Sequence, residues 1–304
     1  MQLLYLLEQI RVPGLNEFML LVTRFGEETA FLVAALIVFW CVDKRKGYYI
    51  MAVGFIGTML NQLLKLMCRV PRPWVLDENF TILEAAREAA AGYSFPSGHS
   101  QSAVGTFGAI AHTTKNKYVK WVCIAIAVLV PFSRMYIGVH TPYDVIAGAV
   151  MALLLVFALR KPVLEKEHKA MKVLIALMLT MAVGMLMYVE LYPFPADMDE
   201  HNLLSGTKNA YTMMGSLIGV AVVYLAERRY VDFDTKAVWW AQILKVVLGL
   251  GVVLLMKEGL RSPLEAVFAG HLAARTVRYF LIVVVAGFLW PMTFRWFGKL
   301  GGKK

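Results

Sequence analysis

Eight residues in three short stretches have the types and spacings from which an anion site with a histidine nucleophile can be built. The first stretch, KLMCRVPRP, holds Lys65 and Arg72 seven residues apart. That interval is about two helical turns, so both cations can point the same way. Pro71 and Pro73 then break the helix and fix the chain as it leaves the membrane. The ordinary reading of basic residues at a helix end is snorkelling to an interface. The second stretch, PSGHS, places Pro96, Ser97, Gly98 and His99 at the opening of an apolar segment. Unpaired N–H groups at a helix N-terminus bind anions, and Gly98 permits close approach to them. Ser97 is equally a plain N-cap, whereas His99 has no comparably ordinary role. The third stretch, SRMYIGVHTPYD, contains Ser133, Arg134, His140 and Asp144. Thr141 can cap the next helix with Pro142 in its first turn, which makes Asp144 a candidate partner for the His140 imidazole. A carboxylate on one ring nitrogen fixes the tautomer and leaves the other nitrogen free to attack. The ordinary alternative for Thr141 and Asp144 is a capping box.

The elements that must hold these residues are membrane helices. The chain has 304 residues, of which 59% are hydrophobic and only 17% charged, with a mean hydropathy of +0.61. Too little polar surface is available to cover a water-soluble body of this size, which excludes a large aqueous domain. The net charge of +10 lies in short basic runs between apolar segments, as suits loops on an anionic lipid surface and not a nucleic-acid partner. Cys41, Cys68 and Cys123 have neither metal-ligand spacing nor the pattern of a disulfide framework. The start, MQLLYLLEQIRVPG, lacks the features of a secretory signal and reads as a short interfacial helix.

Nine segments are long and apolar enough to span a bilayer: roughly 26–43, 47–67, 98–114, 119–137, 142–160, 171–190, 208–226, 237–256 and 277–297. The loops following the first, third, fifth and seventh segments and the C-terminal end hold 18 of the 31 Lys and Arg residues. By the positive-inside rule these face the cytoplasm, with the N-terminus outside and the C-terminus inside. The three stretches above then lie at the external face, as does the acidic loop YPFPADMDEHNLLSG. The expected architecture is all-α: a multi-pass bundle with a core in residues 1–165 and a remaining core helix plus transmembrane extension in 166–304.

Taken together, the stretches follow K-x6-RP, PSGH and SR-x5-H-x3-D in order, and so resemble the signature of the type 2 phosphatidic acid phosphatase superfamily. The motifs cover Lys65 to Asp144, and the family's six-helix core extends over roughly 26–190. The resemblance implies that His140 attacks phosphorus, Asp144 orients it, and His99 protonates the leaving oxygen. Lys65, Arg72, Ser97, Gly98 and Arg134 are implied as phosphate ligands, with no metal and no cofactor. Fixed cations and N–H donors are what a phosphoryl transition state, with its charge spread over equatorial oxygens, requires. Span count and orientation are most similar to the sphingosine-phosphate phosphatases and glucose-6-phosphatase of the superfamily. The implied partner is a lipid phosphate in a bacterial plasma membrane: phosphatidate, phosphatidylglycerol phosphate, a polyprenyl diphosphate or a sphingoid-base phosphate. A soluble sugar phosphate is the alternative substrate. Vanadium haloperoxidase chemistry and a lipid transporter or scramblase using the motif as headgroup receptor are the rival functions.

Outside the motifs, DENFTILEAAREAAAGY reads as a short amphipathic helix with Glu84 and Glu88 on its polar side, a lid or a plain surface helix. Lys245, within the eighth segment, must face protein, water or a partner. Asn61 and Gln62 suit interhelical hydrogen bonds. Arg275 and Arg278 suit snorkelling. His112, His168, His201 and His271 read as loop or interfacial residues.

Overall fold

The computed structural model describes residues 1–87, 90, 92–165 and 168–300, and among these it contains helices and turns with no strand. In chain order the α-helices are α1 (Gln2–Gln9), α2 (Pro13–Thr23), α3 (Glu28–Cys41), α4 (Lys44–Cys68), α5 (Pro73–Leu76), α6 (Gly98–Thr113), α7 (Lys117–Tyr136) and α8 (Pro142–Arg160). They continue with α9 (His168–Leu191), α10 (Glu200–Ala226), α11 (Trp239–Gly259), α12 (Arg261–Val267), α13 (Ala273–Val284) and α14 (Phe294–Lys299).

Each of the nine apolar segments is helical, but among the described residues seven helices meet the length and composition needed to cross a membrane. The other two are α3, with 14 residues, and α6, with 16. The reach of α6 is set by its ends: Ser97 is its buried N-cap, and Thr114 leaves in an extended conformation. At about 1.5 Å per residue it is roughly 24 Å long, short of the hydrocarbon thickness.

The chain divides into two compact units. The first comprises Met1–Ala34, Tyr49–Glu165 and Pro193–Gly206. Its centre is α6, whose Ala103, Gly105 and Ala109 present little bulk, so α7 and α8 both pack closely on it. Val22, Phe107, Cys123 and Val130 extend this core toward α2 and α7. The segment 77–87 departs from the amphipathic-helix expectation, because its only helical piece is a 3-10 turn at Glu84–Ala86. Alternation decides this: Phe80 and Ile82 bury together with Leu4 of α1, which keeps residues 80–83 out of helix. Tyr5 donates to Asp77 at 2.7 Å, and the Arg11 guanidinium donates to the Thr81 and Tyr136 carbonyls at 2.8 and 2.9 Å, tying α1 over this segment. Glu84 pairs with Arg87 at 2.7 Å, while Glu88 lies outside the described residues.

The second unit comprises Ala35–Tyr48, Lys166–Tyr192 and Thr207–Lys304. Small residues again set helix approach. Gly215 and Gly219 of α10 face Thr276 and Val283 of α13 so closely that a Cβ would collide with them. Lys245 is fully buried. Its ammonium donates to the carbonyls of Trp40 and Thr235 at 2.9 and 3.2 Å and sits 4.4 Å from the Phe294 ring centroid. Protein carbonyls and an aromatic face thus offset the cost of a cation in an apolar helix. Arg278 is buried beside Tyr279, so it does not snorkel. Arg275 donates to Thr212 at 3.2 Å.

Candidate active site

All eight residues singled out above fall in the first unit. The helix carrying Lys65 ends at Cys68, so Lys65 and Arg72 do not share a face of one helix as the interval suggested. Arg69 takes a left-handed φ of 50°, and Arg72 becomes the extended N-cap residue of α5. The two cations are brought together instead by adjacent carbonyls of the loop ahead of α6. Lys65 Nζ donates to Tyr93 O, and Arg72 Nε donates to Gly92 O at 3.0 Å. Both side chains are buried, which removes the snorkelling alternative.

Ser97 caps α6 in the ordinary way, accepting from Ser100 N at 3.4 Å. Its own N–H donates to Asp144 O at 2.9 Å, which fastens the PSGH turn to the start of α8. Asn61 reaches from α4 to the same turn, donating to Pro96 O at 3.2 Å, a helix-to-loop bond where a helix-to-helix one was expected. The amides of Gly98 and His99, in the first turn of α6, have no intrahelical acceptor by position. Among the described residues His99 Nε2 and Arg134 Nε are buried without a hydrogen-bond partner, donor-capable groups of the kind an anion would satisfy.

Arg134 lies in the last turn of α7 and is fixed by Thr23 of α2, its Nη1 donating to the hydroxyl at 2.8 Å. The chain then reverses through Gly138, whose φ of 86° suits glycine, and presents His140 just before α8. The capping reading of Asp144 holds. Asp144 completes a capping box with Thr141, accepting from Thr141 N at 2.7 Å while its own N–H donates to Thr141 Oγ1 at 3.4 Å. The same Oδ2 lies 3.6 Å from His140 Nδ1, longer than a hydrogen bond. Ser94, which the sequence analysis did not single out, fills this gap. Its hydroxyl donates to Asp144 Oδ2 at 2.7 Å and lies 3.4 Å from His140 Nδ1. The only signal for it in the sequence is a serine three residues ahead of Ser97.

Arg72 Nη1 approaches both ring nitrogens of His140, Nε2 at 2.9 Å and Nδ1 at 3.5 Å. The same Nη1 donates to Val139 O at 2.9 Å, so the guanidinium lies against the ring and is held there by backbone, while the Nδ1 side faces Ser94 and Asp144. Burial, followed by the charges of Arg72, Arg134 and Lys65 and by His99, holds the His140 imidazole well below the usual histidine range. His140 is therefore a neutral base at physiological pH. Three buried basic side chains, Lys65, Arg72 and Arg134, surround one buried carboxylate, Asp144, a basic setting suited to an anionic group. His112 stacks edge-on with Phe157, and His168 lies against Tyr224 and Arg228.

Among known families, the PAP2 superfamily matches residues 45–168, and the transmembrane extension of PAP2 superfamily phosphatases matches residues 211–303. The undecaprenyl-diphosphatase BcrC of Bacillus subtilis is 30% identical over 145 residues, covering 47% of this chain and 72% of that protein. Phosphatidylglycerophosphatase B of the same organism is 32% identical over 164 residues, covering 50% and 76%. The crystal structure of a transmembrane PAP2-type phosphatidylglycerolphosphate phosphatase from Bacillus subtilis matches at 30% identity, 52% of this chain and 80% of that one, with a TM-score of 0.44. The two family matches and the two sequence relatives define a multi-pass membrane phosphatase. The chain belongs to the PAP2 superfamily and carries that family's transmembrane extension.

Proposed function

We propose that this phosphatase hydrolyses a phosphomonoester or diphosphate carried on a lipid, without a metal ion, through a phosphohistidine on His140. The observation that supports this reading is the burial of a neutral His140 imidazole among Lys65, Arg72 and Arg134, with Ser94 and Asp144 on its Nδ1 side. In the first step Nε2 forms a bond to phosphorus as the P–O bond to the lipid breaks, and His99 gives its proton to the leaving oxygen. The imidazole then carries positive charge, which Asp144 stabilises. In the second step water attacks phosphorus, His99 takes the water proton, and the P–N bond breaks to return neutral His140 and release phosphate. Lys65, Arg72, Arg134 and, in the turn that Ser97 opens, the N–H groups of Gly98 and His99 hold the equatorial oxygens in both steps.

A lipid substrate is supported by the curated relatives named for undecaprenyl diphosphate and phosphatidylglycerophosphate and by the spanning helices around the site. The test is turnover of long-chain and headgroup-only phosphates by purified protein in detergent, with and without a strong chelator. The expected result is a kcat/KM at least about 100-fold higher for the long chains, as burial of many methylenes predicts, and no loss in chelator. Equal efficiency would remove the lipid reading, and loss in chelator restored by a divalent ion would remove the metal-free mechanism.

Ser94 is assigned as a positioning residue. Ser94→Ala is expected to lower kcat by roughly 10- to 100-fold, the worth of a hydrogen bond to a charged group, with KM unchanged, and Ser94→Thr to recover most of it. A change confined to KM would place Ser94 on the substrate instead.

An extracytoplasmic site is supported by the basic loops at the other ends of α6, α7 and α8. Single cysteines at Glu84 and Asp197 are expected to react with an impermeant reagent from outside, and those at Lys46 and Lys117 only from inside. Labelling of all four from one side would overturn this topology.

A further inference from the structure

A second feature of the first unit lies away from His140. A groove of about 610 Å³ runs along α6 between α7 and α8, within the size range of small-molecule sites. Its floor includes Gly108 and Ala111, and its walls include Ile124 and Val128 on one side and Leu153 and Phe157 on the other. Only three of its lining side chains are polar, namely His112, Thr114 and Lys120. All three are at the end opposite the candidate active site. His99 opens α6 and His112 nearly closes it, a rise of about 20 Å at 1.5 Å per residue. Lys120 forms no ion pair among the described residues. Lys120 and Arg160, the last residue of α8 and a partner of Glu165, are both near enough for their charges to act on His112.

We propose that this groove binds an anionic phospholipid, with its headgroup phosphate on Lys120, Arg160 and His112 and an acyl chain lying on α6 between α7 and α8. The distribution of polarity decides the orientation. A substrate tail descending from His140 would end among these cations with nothing to pair them, whereas a lipid of the opposite leaflet places its phosphate there and its chain in the apolar part. A zwitterionic headgroup gains less from a cationic mouth, so the site selects for net negative charge. The occupant is a lipid and not a second copy of the chain because the groove is concave and open in the membrane-spanning part of the helices, where hydrocarbon chains are the solvent.

Delipidated full-length protein in detergent, titrated with phosphatidylglycerol or phosphatidylcholine and read by native mass spectrometry, tests this. One phosphatidylglycerol should bind at least about ten-fold more tightly than phosphatidylcholine. Lys120→Ala and Arg160→Ala should weaken it about five-fold each, about 25-fold together. Gly108→Leu is a second route, since a Cβ there meets only Val156, at 3.7 Å. The longer side chain fills the groove and should weaken both lipids. Saturating vanadate, a phosphate analogue for the catalytic site, should leave the bound lipid in place, which keeps this result separate from the phosphatase reading. Equal affinity for the two lipids, full binding by the double variant, displacement by vanadate, or a change in oligomeric state in place of lipid loss would each overturn the proposal.

Discussion

His140→Ala is expected to lower phosphate release by at least about 10⁴-fold on every substrate and to leave no covalent phosphoenzyme, because loss of a nucleophile is not made up by the groups around it. His99→Ala is expected to behave differently. A leaving-group acid contributes roughly 10²- to 10⁴-fold, but only where the leaving oxygen needs a proton. An aryl phosphate departs as a stable phenolate, so the variant should retain most activity on it while losing the larger part on a lipid alkyl phosphate. The geometry supports the division of labour. His140 lies against Arg72 with Ser94 and Asp144 on its Nδ1 side, whereas His99 presents a buried Nε2 with no partner among the described residues. Rapid quenching during turnover should trap acid-labile, base-stable phosphate on the wild-type protein and on His99→Ala with the aryl substrate. Undiminished release by His140→Ala would require another nucleophile.

Gly148→Ala is expected to cost on the order of 100-fold in kcat with the protein still folded, although residue 148 carries no chemistry. Gly148 lies one turn beyond Asp144 on α8, and a Cβ there would stand 2.5 Å from the carbonyl oxygen of Ser97. That contact is with backbone, which cannot rotate away. Relief requires α8 and the PSGH turn to separate, stretching the 2.9 Å bond from Ser97 N to Asp144 O. The PSGH turn and His99 would then shift relative to His140 and Asp144. A displacement near 1 Å between reacting groups costs about 10²-fold in rate. Gly108→Ala is the matched control, because its added methyl has ordinary contact distance to Val156, and it should leave kcat unchanged. Equal kcat values for the two variants would show that the α6 to α8 approach does not set the site geometry.

The class of the protein and the identity of the candidate catalytic residues were legible in the sequence because both are local. Apolar runs of spanning length report the bilayer whatever the helices pack against, and each motif keeps its internal spacing within a few residues of a helix end. Thr141 and Pro142 announce the start of α8, and with it the place of Asp144, from chain-local capping alone. What the sequence could not determine are relations across 20 to 130 residues, which depend on how helices approach. The Lys65 and Arg72 pairing looked like a helical repeat but is made by the carbonyls of Tyr93 and Gly92. Ser94 is an undistinguished serine until folding sets it between His140 and Asp144, and Thr23 acquires a role only by meeting Arg134, 111 residues away. The segment 77–87 has helical polarity in isolation, yet burial of Phe80 and Ile82 against Leu4 keeps residues 80–83 out of helix. The helix periodicity there is a weak local preference, and tertiary burial of two large apolar side chains, about 1.5–3 kcal/mol each, outweighs it.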